Sequence, residues 1–422
     1  MRILHTSDWH LGRTLEGRDR NKEQEKFIDE LCKIAATEKV DLILAAGDVF
    51  DSANPSAAAE QLYYDGLDRL CSGGERAVVV IAGNHDNPER LKAAAPLANR
   101  YGIILSGLPG DCYHPVAGEG GRVSIKAGGE GWLRLYLPGC CEEAVLLLLP
   151  YPSEARLKES LVASVADEEI LKQAYSKRVE TLLQQRSGNF GRETVNLVIS
   201  HLYVAGGKES DSERPIHLGG ALAVEPCAFP AAAQYTALGH LHNPQEVRHA
   251  SSLARYSGSP LAYSFSEAGR AKSVILLEAA PGDRPPRLKE IYLSAGKPLV
   301  KWKADAGLDQ VYRWLEEGRD SDAWIDLEVH VDDVIPLRQC AELRKLHDGI
   351  VNIRPVFPEL KEAYAGRERE GLPLDRLFSD FYARQKGGAR PDDALIELFL
   401  ELVREAEEEE TDEGGLIPGE AY

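Results

Sequence analysis

The segment VDLILAAGDVFD, residues 40–51, decides the fold class of this chain. Its uninterrupted apolar run, residues 42–46, is typical of a strand that is buried on both faces of a sheet. An amphipathic stretch with the pattern of a helix follows it at residues 54–71. Strand followed by helix is the repeating unit of an α/β fold, and polar residues that come just after such strands collect at the carboxyl edge of the sheet.

Two neighbouring segments repeat this unit. RILHTSDWH (2–10) precedes a helical pattern at 21–39, and RAVVVIAGNHDN (76–87) precedes another at 88–100. Residues 106–140 are glycine-rich and are predicted to form hairpins or loops. Further buried strands are predicted at 144–150, 195–201 and 235–240, with an antiparallel continuation at 273–279 and 287–294. The first 300 residues are therefore predicted to form an α/β domain.

Length and composition narrow the class of protein. With 422 residues, 43 % apolar and 28 % charged, two or three globular domains are expected. The start MRILHTSDWH has no apolar signal core, and the longest apolar run, AVLLLLPY at 144–151, is too short to span a bilayer. Seven cysteines without a CxxC motif argue against a disulfide framework and against a thiolate zinc site, and we expect them to be small buried residues. A cytoplasmic protein without membrane contact is predicted.

The net charge of −19 is unevenly distributed along the chain. Residues 301–422 carry 30 acidic and 16 basic side chains, a net charge of −14, against −5 for the first 300 residues. Much of this excess lies in EAEEEETDE at 405–413, which is predicted to belong to a disordered, solubilising tail. The overall charge therefore does not exclude a nucleic-acid partner for the N-terminal domain, particularly if bound cations offset its carboxylates.

The C-terminal third shows a different organisation. Residues 300–360 alternate strand-like and helix-like runs and are predicted to form a small α/β domain. Two helical stripes follow, separated by QKGGARPDD: Leu374, Leu377, Phe378, Phe381 and Tyr382, then Leu395, Leu398, Phe399 and Leu402. A helix–loop–helix is the simplest interpretation. The stripes would either pack on their own domain or dock on a partner helix.

Polar residues with metal-binding chemistry follow five of the predicted strands. They are Asp8 and His10, Asp48 and Asp51, Asn84, His85 and Asp86, His201, and His240 and His242. Each fragment alone has an ordinary explanation: a D-x-H is usually a solvated loop, GNHD can be a turn, and a single buried histidine is usually hydrogen-bonded in a core. The five together suggest a shared site, because a parallel sheet brings its strand ends to one edge.

The chemistry of this set fits two divalent metal ions. Seven candidate ligands supply carboxylate, imidazole and amide oxygen but no thiolate: Asp8, His10, Asp48, Asn84, His201, His240 and His242. This mixture favours manganese, iron or zinc over magnesium alone or a soft-metal site. Two ions about 3.5–4 Å apart need one bridging carboxylate, for which Asp48 is the best candidate, and they would activate water for attack on phosphorus.

The remaining polar residues at the strand ends are assigned supporting roles. His85 follows the candidate ligand Asn84, and we expect it to be catalytic, either by stabilising the phosphorane or by protonating the leaving oxygen. Asp86 is predicted to orient His85. Asp51 is predicted to accept a hydrogen bond from behind the ligands.

The segment TALGHLH, residues 236–242, raises a separate question, because it contains two histidines with one residue between them. An extended segment would point His240 and His242 to the same side, and Leu241 to the opposite side, towards packing. Both rings could then hold one ion. Beside the other four motifs, two neighbouring ions that take one imidazole each explain the spacing better.

The order of these motifs resembles the calcineurin-like metallophosphoesterase superfamily. The residues in and around these motifs are similar to those of the SbcD nuclease subunits of bacteria. The similar segments are HTSDWHLG (5–12), GDVFDSANPS (47–56), GNHD (83–86), SDSERP (210–215), ALGHLHNPQ (237–245) and YSGSPLAYSFSE (256–267). The resemblance is strong over residues 1–300. In the rest of the chain it extends only to the order of the predicted domains and helices. It implies a four-layer αββα sandwich with a small α/β capping domain and C-terminal helices.

The same resemblance implies a site and a set of partners. One ion would be held by Asp8, His10, Asp48 and His242, and the other by Asp48, Asn84, His201 and His240. The metal would be manganese, with iron, zinc or magnesium as alternatives. The partners would be the ATPase subunit SbcC, in a heterotetramer with two copies of each chain, DNA, and a second copy of this chain through the nuclease domain.

The implied activity is ATP-assisted cleavage of DNA, as a double-strand exonuclease and a single-strand or hairpin endonuclease, in DNA repair, recombination and replication near the nucleoid. The implied domains are a nuclease domain at 1–295, a DNA-contacting cap at 296–365, a helix–loop–helix for the SbcC coiled coil at 366–406 and an acidic tail at 407–422. The chain has no P-loop motif, so any ATP dependence must come from the partner.

Two other functions share features with this prediction. A phosphomonoesterase or cyclic-nucleotide phosphodiesterase of the same superfamily would use the same ligands, but it would not need the capping layout or the tail helices. A metal-binding scaffold without catalysis would not need His85.

Overall fold

The computed structural model describes residues 1–157, 168–213, 223–282, 285–357, 373–385 and 389–413. The chain divides into two compact units, Met1–Leu299 and Val300–Tyr422. Among the described residues, none of the helices combines the length and the apolar character needed to cross a bilayer.

The first unit contains two large sheets. Their strands are β1 (Arg2–Thr6), β2 (Leu42–Ala46), β3 (Ala77–Ile81), β4 (Ile103–Ser106), β5 (Ser124–Gly129), β6 (Trp132–Leu137), β7 (Glu142–Leu149), β8 (Val195–His201), β9 (Tyr235–Gly239), β10 (Gln245–Glu246), β11 (Ala254–Tyr256), β12 (Ser273–Glu278) and β13 (Arg287–Tyr292). The first sheet has the order β13-β12-β1-β2-β3-β4, and the second has the order β10-β11-β9-β8-β7-β6-β5.

The strands that precede the candidate ligands run parallel within each sheet. In the first sheet, β1, β2, β3 and β4 pair in parallel, while β12 and β13 continue it in antiparallel fashion as predicted. In the second sheet, β7, β8 and β9 pair in parallel. The glycine-rich stretch forms the β5–β6 hairpin, which pairs antiparallel with β7.

The helices of the first unit are α1 (Asn21–Thr37), α2 (Ala57–Cys71), α3 (Pro88–Lys92), α4 (Ala95–Ala98), α5 (Glu154–Leu157) and α6 (Glu168–Ser187). Strand β2 shows how they sandwich the sheets. Its Ile43 and Ala45 pack with Phe27 of α1 on one face, while Leu42 and Leu44 on the other face pack with residues of the second sheet. Burial on both faces explains why this strand has no polar residue.

The outer face of the second sheet is covered in the same way. Leu147 and Leu149 of β7 pack with Tyr175 and Val179 of α6, whereas Leu146 and Leu148 face the first sheet. The layers therefore follow the order helix, sheet, sheet, helix, which confirms the predicted αββα sandwich. All seven cysteines are free, but only Cys71 is buried as expected. The expectation of burial is wrong for three exposed cysteines, and three others are only partly buried: Cys112, Cys141 and Cys227, then Cys32, Cys140 and Cys340.

The second unit contains a small three-stranded sheet and four helices among its described residues. The strands are β14 (Leu299–Ala304), β15 (Trp324–His330) and β16 (Ile350–Val356), in that order in the sheet, and the helices are α7 (Leu308–Glu316), α8 (Leu337–Leu346), α9 (Leu374–Gln385) and α10 (Asp393–Glu413). Trp302, Ile325 and Leu343 belong to a core cluster separate from those of the first unit. The small α/β domain that the sequence predicts is therefore present.

Helices α9 and α10 are the two helices that the sequence predicts, and residues 386–388 between them lie outside the described residues. Phe378 stacks on Phe399 with ring centroids 4.1 Å apart, so one residue of each stripe joins the two helices. The remainder of both stripes is largely exposed, including Phe381 and Leu402. Helix α10 continues to Glu413, so residues 407–413 of the predicted tail belong to it, and residues 414–422 lie outside the described residues.

Candidate metal centre

The structure brings the seven candidate ligands together at the strand ends of the first unit. Asp8 and His10 follow β1, Asp48 follows β2, and Asn84 follows β3, all from the first sheet. His201 ends β8, and His240 and His242 follow β9, both from the second sheet. The site therefore lies where two sheets meet, and not at one edge of a single parallel sheet as expected from the sequence.

One group of side chains surrounds the facing rings of His10 and His242. Their Nε2 atoms lie 3.1 Å apart, and His10 Nε2 lies 3.6 Å from Asp48 Oδ2. Asp8, His10 and His242 each offer a ligand atom within 4.8 Å of the others. All of these side chains are buried. This arrangement matches the first ligand set that the resemblance implies.

A second group surrounds the amide oxygen of Asn84. Asn84 Oδ1 lies 2.9 Å from His201 Nε2 and 3.1 Å from His240 Nδ1. His201 Nε2 also lies 3.5 Å from Asp48 Oδ2, while its Nδ1 contacts Ala46 O at 2.8 Å across the interface between the sheets. His240 thus faces Asn84, whereas His242 faces His10. This separation supports the interpretation that each histidine of GHLH serves a different ion.

Asp48 lies between the two groups. Its Oδ2 is within 3.6 Å of both His10 Nε2 and His201 Nε2, and 3.9 Å from His85 Nε2. Its Oδ1 accepts a hydrogen bond of 2.9 Å from the backbone N–H of His85. One oxygen is therefore held by the protein, and the other faces both groups, which is the arrangement that a bridging ligand requires.

Burial controls the ionisation of three of the candidate histidine ligands. It lowers the pKa of His10 to about 4 and that of His240 to about 3, and it holds the pKa of His242 well below the usual value. At neutral pH these rings are uncharged and each carries a nitrogen lone pair. Neutral imidazole is the form that binds a metal ion.

The carboxylates show that the site favours positive charge. Burial raises the pKa of Asp8 to about 8, opposed by His201 and reinforced by Asp48. Burial also opposes ionisation of Asp48, but His201, His85 and His10 outweigh it and hold the pKa of Asp48 well below the usual value. His201 is buried as well, yet Asp48 and Asp8 raise its pKa to about 9. The proton on His201 supplies a positive charge beside these carboxylates. A bound divalent cation would supply that charge instead, so the donor set fits divalent metal ions.

The backbone at the site is unusual. Asp8, His10, Asp48 and His240 have positive φ angles of 53°, 45°, 48° and 106°, a region that L-residues other than glycine seldom adopt. Such conformations concentrate at functional sites, where surrounding contacts enforce them. The value for His240 corrects the expectation of an extended GHLH segment, since β9 already ends at Gly239. Leu241 is fully buried in the core cluster on the outer face of the second sheet, as predicted.

Two glycines allow the ligand loops to approach one another. A Cβ atom on Gly83 would lie 2.1 Å from Asp48 Oδ1, and one on Gly239 would lie 1.9 Å from Ala46 O. Both distances are far below van der Waals contact. The glycines of the GNHD and GHLH motifs are therefore required by packing around the ligands.

His85 lies at the rim of the ligand groups, but its partner is not the predicted one. His85 Nδ1 lies 2.7 Å from the backbone oxygen of Asp51. The Asp86 carboxylate instead accepts hydrogen bonds from the backbone N–H groups of Gly83, Val49 and Phe50. These contacts correct the prediction that Asp86 orients His85, because Asp86 joins the GNHD loop to the loop after β2.

Asp51 is close to its predicted place. Its Oδ1 lies 3.5 Å from His10 Nδ1 and 3.7 Å from Arg13 Nε, and its backbone oxygen contacts His85. The residue therefore lies behind a candidate ligand and also beside the candidate catalytic histidine.

Several residues around the site were not predicted. Ser212 Oγ lies 2.5 Å from His242 Nδ1, Glu213 accepts from the backbone N–H of His242 at 2.8 Å, and Lys272 donates to the backbone oxygen of His242 at 2.9 Å. Arg156 donates to the backbone oxygens of Gly83 and Asp86, both at 2.7 Å. The polar segment SDSERP was the available signal for Ser212 and Glu213, but it has no periodicity that indicates what it contacts, and no quoted motif includes Lys272 or Arg156.

Comparisons with known proteins agree with this geometry. The family model described as calcineurin-like phosphoesterase matches residues 1–244. A protein named as the D subunit of the SbcCD nuclease, from Bacillus subtilis, is 48 % identical over 410 residues, which cover 97 % of this chain and 100 % of that one. Proteins of the same name from Rhodobacter capsulatus and Escherichia coli are 35 % and 29 % identical, covering 72 % and 88 % of this chain and 72 % and 89 % of their own lengths. The chain therefore belongs to the calcineurin-like phosphoesterase family and, within it, to the D subunits of SbcCD nucleases.

Proposed function

We propose that this chain is the nuclease subunit of an SbcC–SbcD complex and hydrolyses DNA phosphodiester bonds at a two-metal centre. Within that activity we propose ATP-assisted exonuclease action on double strands and endonuclease action on single strands and hairpins. The processes served would be DNA end processing, repair and recombination. The names of the relatives support the nuclease and its partner, and the finer activities rest on the resemblance.

The convergence of the seven side chains from two sheets is the observation that carries the proposal. Asp8, His10, Asp48 and His242 would hold one ion, and Asp48, Asn84, His201 and His240 would hold the other. When bound, the two ions would polarise a phosphate and activate water for attack on phosphorus. Manganese is the metal we propose, because it binds oxygen and imidazole donors and the candidate ligands include no thiolate.

The geometry of His85 supports a direct role in the reaction. A backbone carbonyl can only accept, so Nδ1 of His85 must donate to Asp51 O at 2.7 Å. This fixes the ring and leaves Nε2 directed towards the ligand groups, 3.9 Å from Asp48 Oδ2. The residue retains 8 % exposure. His85 can therefore reach a phosphate at the site and exchange a proton with it through Nε2.

The second unit would supply contacts to DNA and to the partner. We propose that residues 296–365 contact DNA and that the exposed stripes of α9 and α10 bind the coiled coil of SbcC. An apolar helical face of this kind is suited to a partner helix. Because the chain has no P-loop motif, SbcC would bind the ATP. Two copies of each chain, joined through a nuclease-domain homodimer, would form the complex in the cytoplasm near the nucleoid.

The decisive experiment is a nuclease assay with the full-length chain. Linear duplex DNA, hairpin DNA and a small phosphomonoester are each incubated with the chain, with and without Mn²⁺, ATP and SbcC. We expect cleavage of both DNA substrates that requires Mn²⁺ and is increased by ATP together with SbcC. Turnover of the phosphomonoester with intact DNA in the presence of SbcC would show a phosphomonoesterase instead.

The His85→Ala variant separates catalysis from metal binding. We expect it to bind Mn²⁺ like the unaltered chain while cleavage falls about 10²–10⁴-fold, the range for loss of a proton-transfer group. Full activity of this variant would show that His85 has no part in the chemistry. Loss of Mn²⁺ binding would show that its role is structural.

A further inference from the structure

We propose that Ser212 is a positioning residue for His242 and that Glu267 determines which nitrogen of the His242 ring faces the metal centre. Ser212 Oγ lies 2.5 Å from His242 Nδ1 and 2.7 Å from Glu267 Oε1. The three side chains therefore form one continuous relay. Ser212, Glu267 and His242 are 6 %, 0 % and 1 % exposed, so water does not compete for these contacts.

Glu267 gives the relay its direction. Glu267 Oε1 also accepts from the backbone N–H groups of Tyr263 and Ser264, at 3.0 and 3.1 Å, and Oε2 accepts from Lys272 Nζ. A carboxylate surrounded by three donor groups acts only as an acceptor. Ser212 has one hydroxyl proton, and its third partner, Ser210 Oγ at 2.8 Å, can itself donate. We therefore assign the Ser212 proton to Glu267, which leaves the Ser212 oxygen to accept.

The direction of the relay selects the tautomer of His242. Because Ser212 Oγ accepts, Nδ1 of His242 must carry the proton and donate it. Nε2 then has a free lone pair, and this is the atom that faces His10 Nε2 at 3.1 Å. A hydrogen bond behind the ring is the usual way in which a protein fixes a metal-binding histidine.

The backbone of His242 is held by the same residues and their neighbours. Its N–H donates to Glu213 Oε1 at 2.8 Å, and its carbonyl accepts from Lys272 Nζ at 2.9 Å. Lys272 also donates to Ser259 Oγ at 2.9 Å. The buried Glu267–Lys272 pair thus orients both the ring and the backbone of His242, although neither residue reaches the site itself.

This inference rests on the proposed two-metal site but not on the substrate. It can therefore be tested by metal binding without a nuclease assay. The full-length chain is stripped with a chelator and titrated with Mn²⁺ alone, and free Mn²⁺ is followed by electron paramagnetic resonance. For the unaltered chain we expect two bound ions.

We expect Ser212→Ala to weaken one of the two sites by roughly 10–100-fold, the range for loss of a residue that orients a metal ligand. Ser212→Thr retains the hydroxyl and should bind within a few-fold of the unaltered chain. Ser176→Ala is the matched control, because Ser176 is also 6 % exposed and hydrogen-bonded, to the backbone N–H of Glu225. It should bind both ions normally.

A second variant tests the direction of the relay. In Glu267→Gln the side-chain amide can donate to Ser212, so Ser212 can donate to His242 Nδ1 and the opposite tautomer becomes available. We expect the same weakened site although the Ser212 hydroxyl is present. If this variant does not fold, because the buried Lys272 loses its partner, the Ser212 variants decide alone.

The outcomes distinguish the two proposals. If the unaltered chain binds fewer than two ions, the two-metal function fails, and this inference fails with it. If it binds two and Ser212→Ala binds both with unchanged affinity, the positioning role is wrong and the metal centre stands. An equal loss in Ser176→Ala would also overturn the role, because any buried hydroxyl would then have the same effect.

Discussion

At the strand ends of the first unit, Asp8 and His10 are completely buried, although carboxylates and imidazoles usually lie in water. On helices α9 and α10 of the second unit, Phe381, Leu398 and Leu402 are 59 %, 50 % and 56 % exposed, although such side chains usually lie in a core. Each region reverses the normal distribution of its residue types. The two regions do so in opposite directions and at different costs.

The difference indicates what each region binds. Burying a polar group without compensation costs roughly 2–7 kcal/mol, and a buried charge costs more unless an opposite charge accompanies it. Leaving a Leu or Phe side chain exposed forgoes about 1.5–3 kcal/mol. A cation removes the first cost and an apolar partner surface removes the second. The contrast is consistent with the two proposals above, that the first unit holds metal ions and that the helical pair binds SbcC.

The strongest test of this contrast removes the shared carboxylate. Asp48→Asn keeps the size of the side chain and an oxygen for the His85 N–H, but it removes the negative charge that both ligand groups face. We expect Mn²⁺ binding to be lost at both sites. Metal ions supply several kcal/mol of transition-state stabilisation, so DNA cleavage should fall at least about 10³-fold.

Asp326→Asn is the control for this substitution. Asp326 is a similarly buried carboxylate, 5 % exposed against 2 % for Asp48, but it lies in the second unit and pairs with Arg354. It should leave Mn²⁺ stoichiometry unchanged. If Asp48→Asn still binds two ions, measured by the same titration, the buried carboxylates are not organised around metal.

The next test addresses the exposed stripes. Deleting residues 370–422 should abolish binding to SbcC and leave Mn²⁺ binding intact. The double variant Phe381→Ser and Leu398→Ser should weaken SbcC binding about 100-fold or more, because each side chain contributes about 1.5 kcal/mol or more when buried. Affinity is measured by calorimetry with purified SbcC.

Asp375→Ser supplies a matched control on the same helix, because this residue is exposed but charged. It should bind SbcC with nearly normal affinity. Equal binding by the double variant and the unaltered chain would mean that the stripes serve some other contact.

The smallest expected effect comes from a buried polar side chain in the first unit that is not a candidate ligand. His5 is fully buried with Nδ1 2.9 Å from the Tyr235 hydroxyl, and burial lowers the pKa of His5 to about 3. As pH falls below 6.5 the unfolded chain takes up a proton on His5 but the folded chain does not, so stability falls. Between pH 7.5 and 5 this loss is on the order of 2 kcal/mol.

His5→Gln should lack this part of the acid sensitivity. Urea titrations of both chains at pH 7.5 and pH 5, in the presence of a chelator, measure the difference. If both chains lose the same free energy of unfolding, burial of His5 has no pH-dependent cost. The comparison between the two regions would then rest on the ligands alone.

The strands and the site were predictable because their signals are local. A run such as residues 42–46 is typical of a doubly buried strand, and Asp48 lies two positions after it. The motifs also indicated the residue types of a metal site. The meeting of two sheets was not derivable from the strand ends, because ligands such as His201 and Asn84 belong to sheets whose packing depends on contacts distant in sequence.

The errors have a similar cause. Proximity in sequence suggested that Asp86 orients His85, but the carboxylate binds backbone N–H groups of Gly83, Val49 and Phe50. Period-two spacing suggested an extended GHLH, but the φ of 106° at His240 turns the chain. The relay through Ser212 and Glu267 joins residues 55 positions apart, and no local pattern encodes that contact.

The close packing around Gly83 and Gly239 has a consequence for the evolution of the site. Neither glycine has a side chain that could touch an ion, yet any Cβ atom there would overlap with Asp48 or with Ala46 O. In a map of tolerance to substitution, both positions would be as restricted as the ligands. Invariance around this centre would therefore identify two kinds of residue. Some donate an electron pair to an ion, and others are glycines whose lack of a side chain leaves space for those donors.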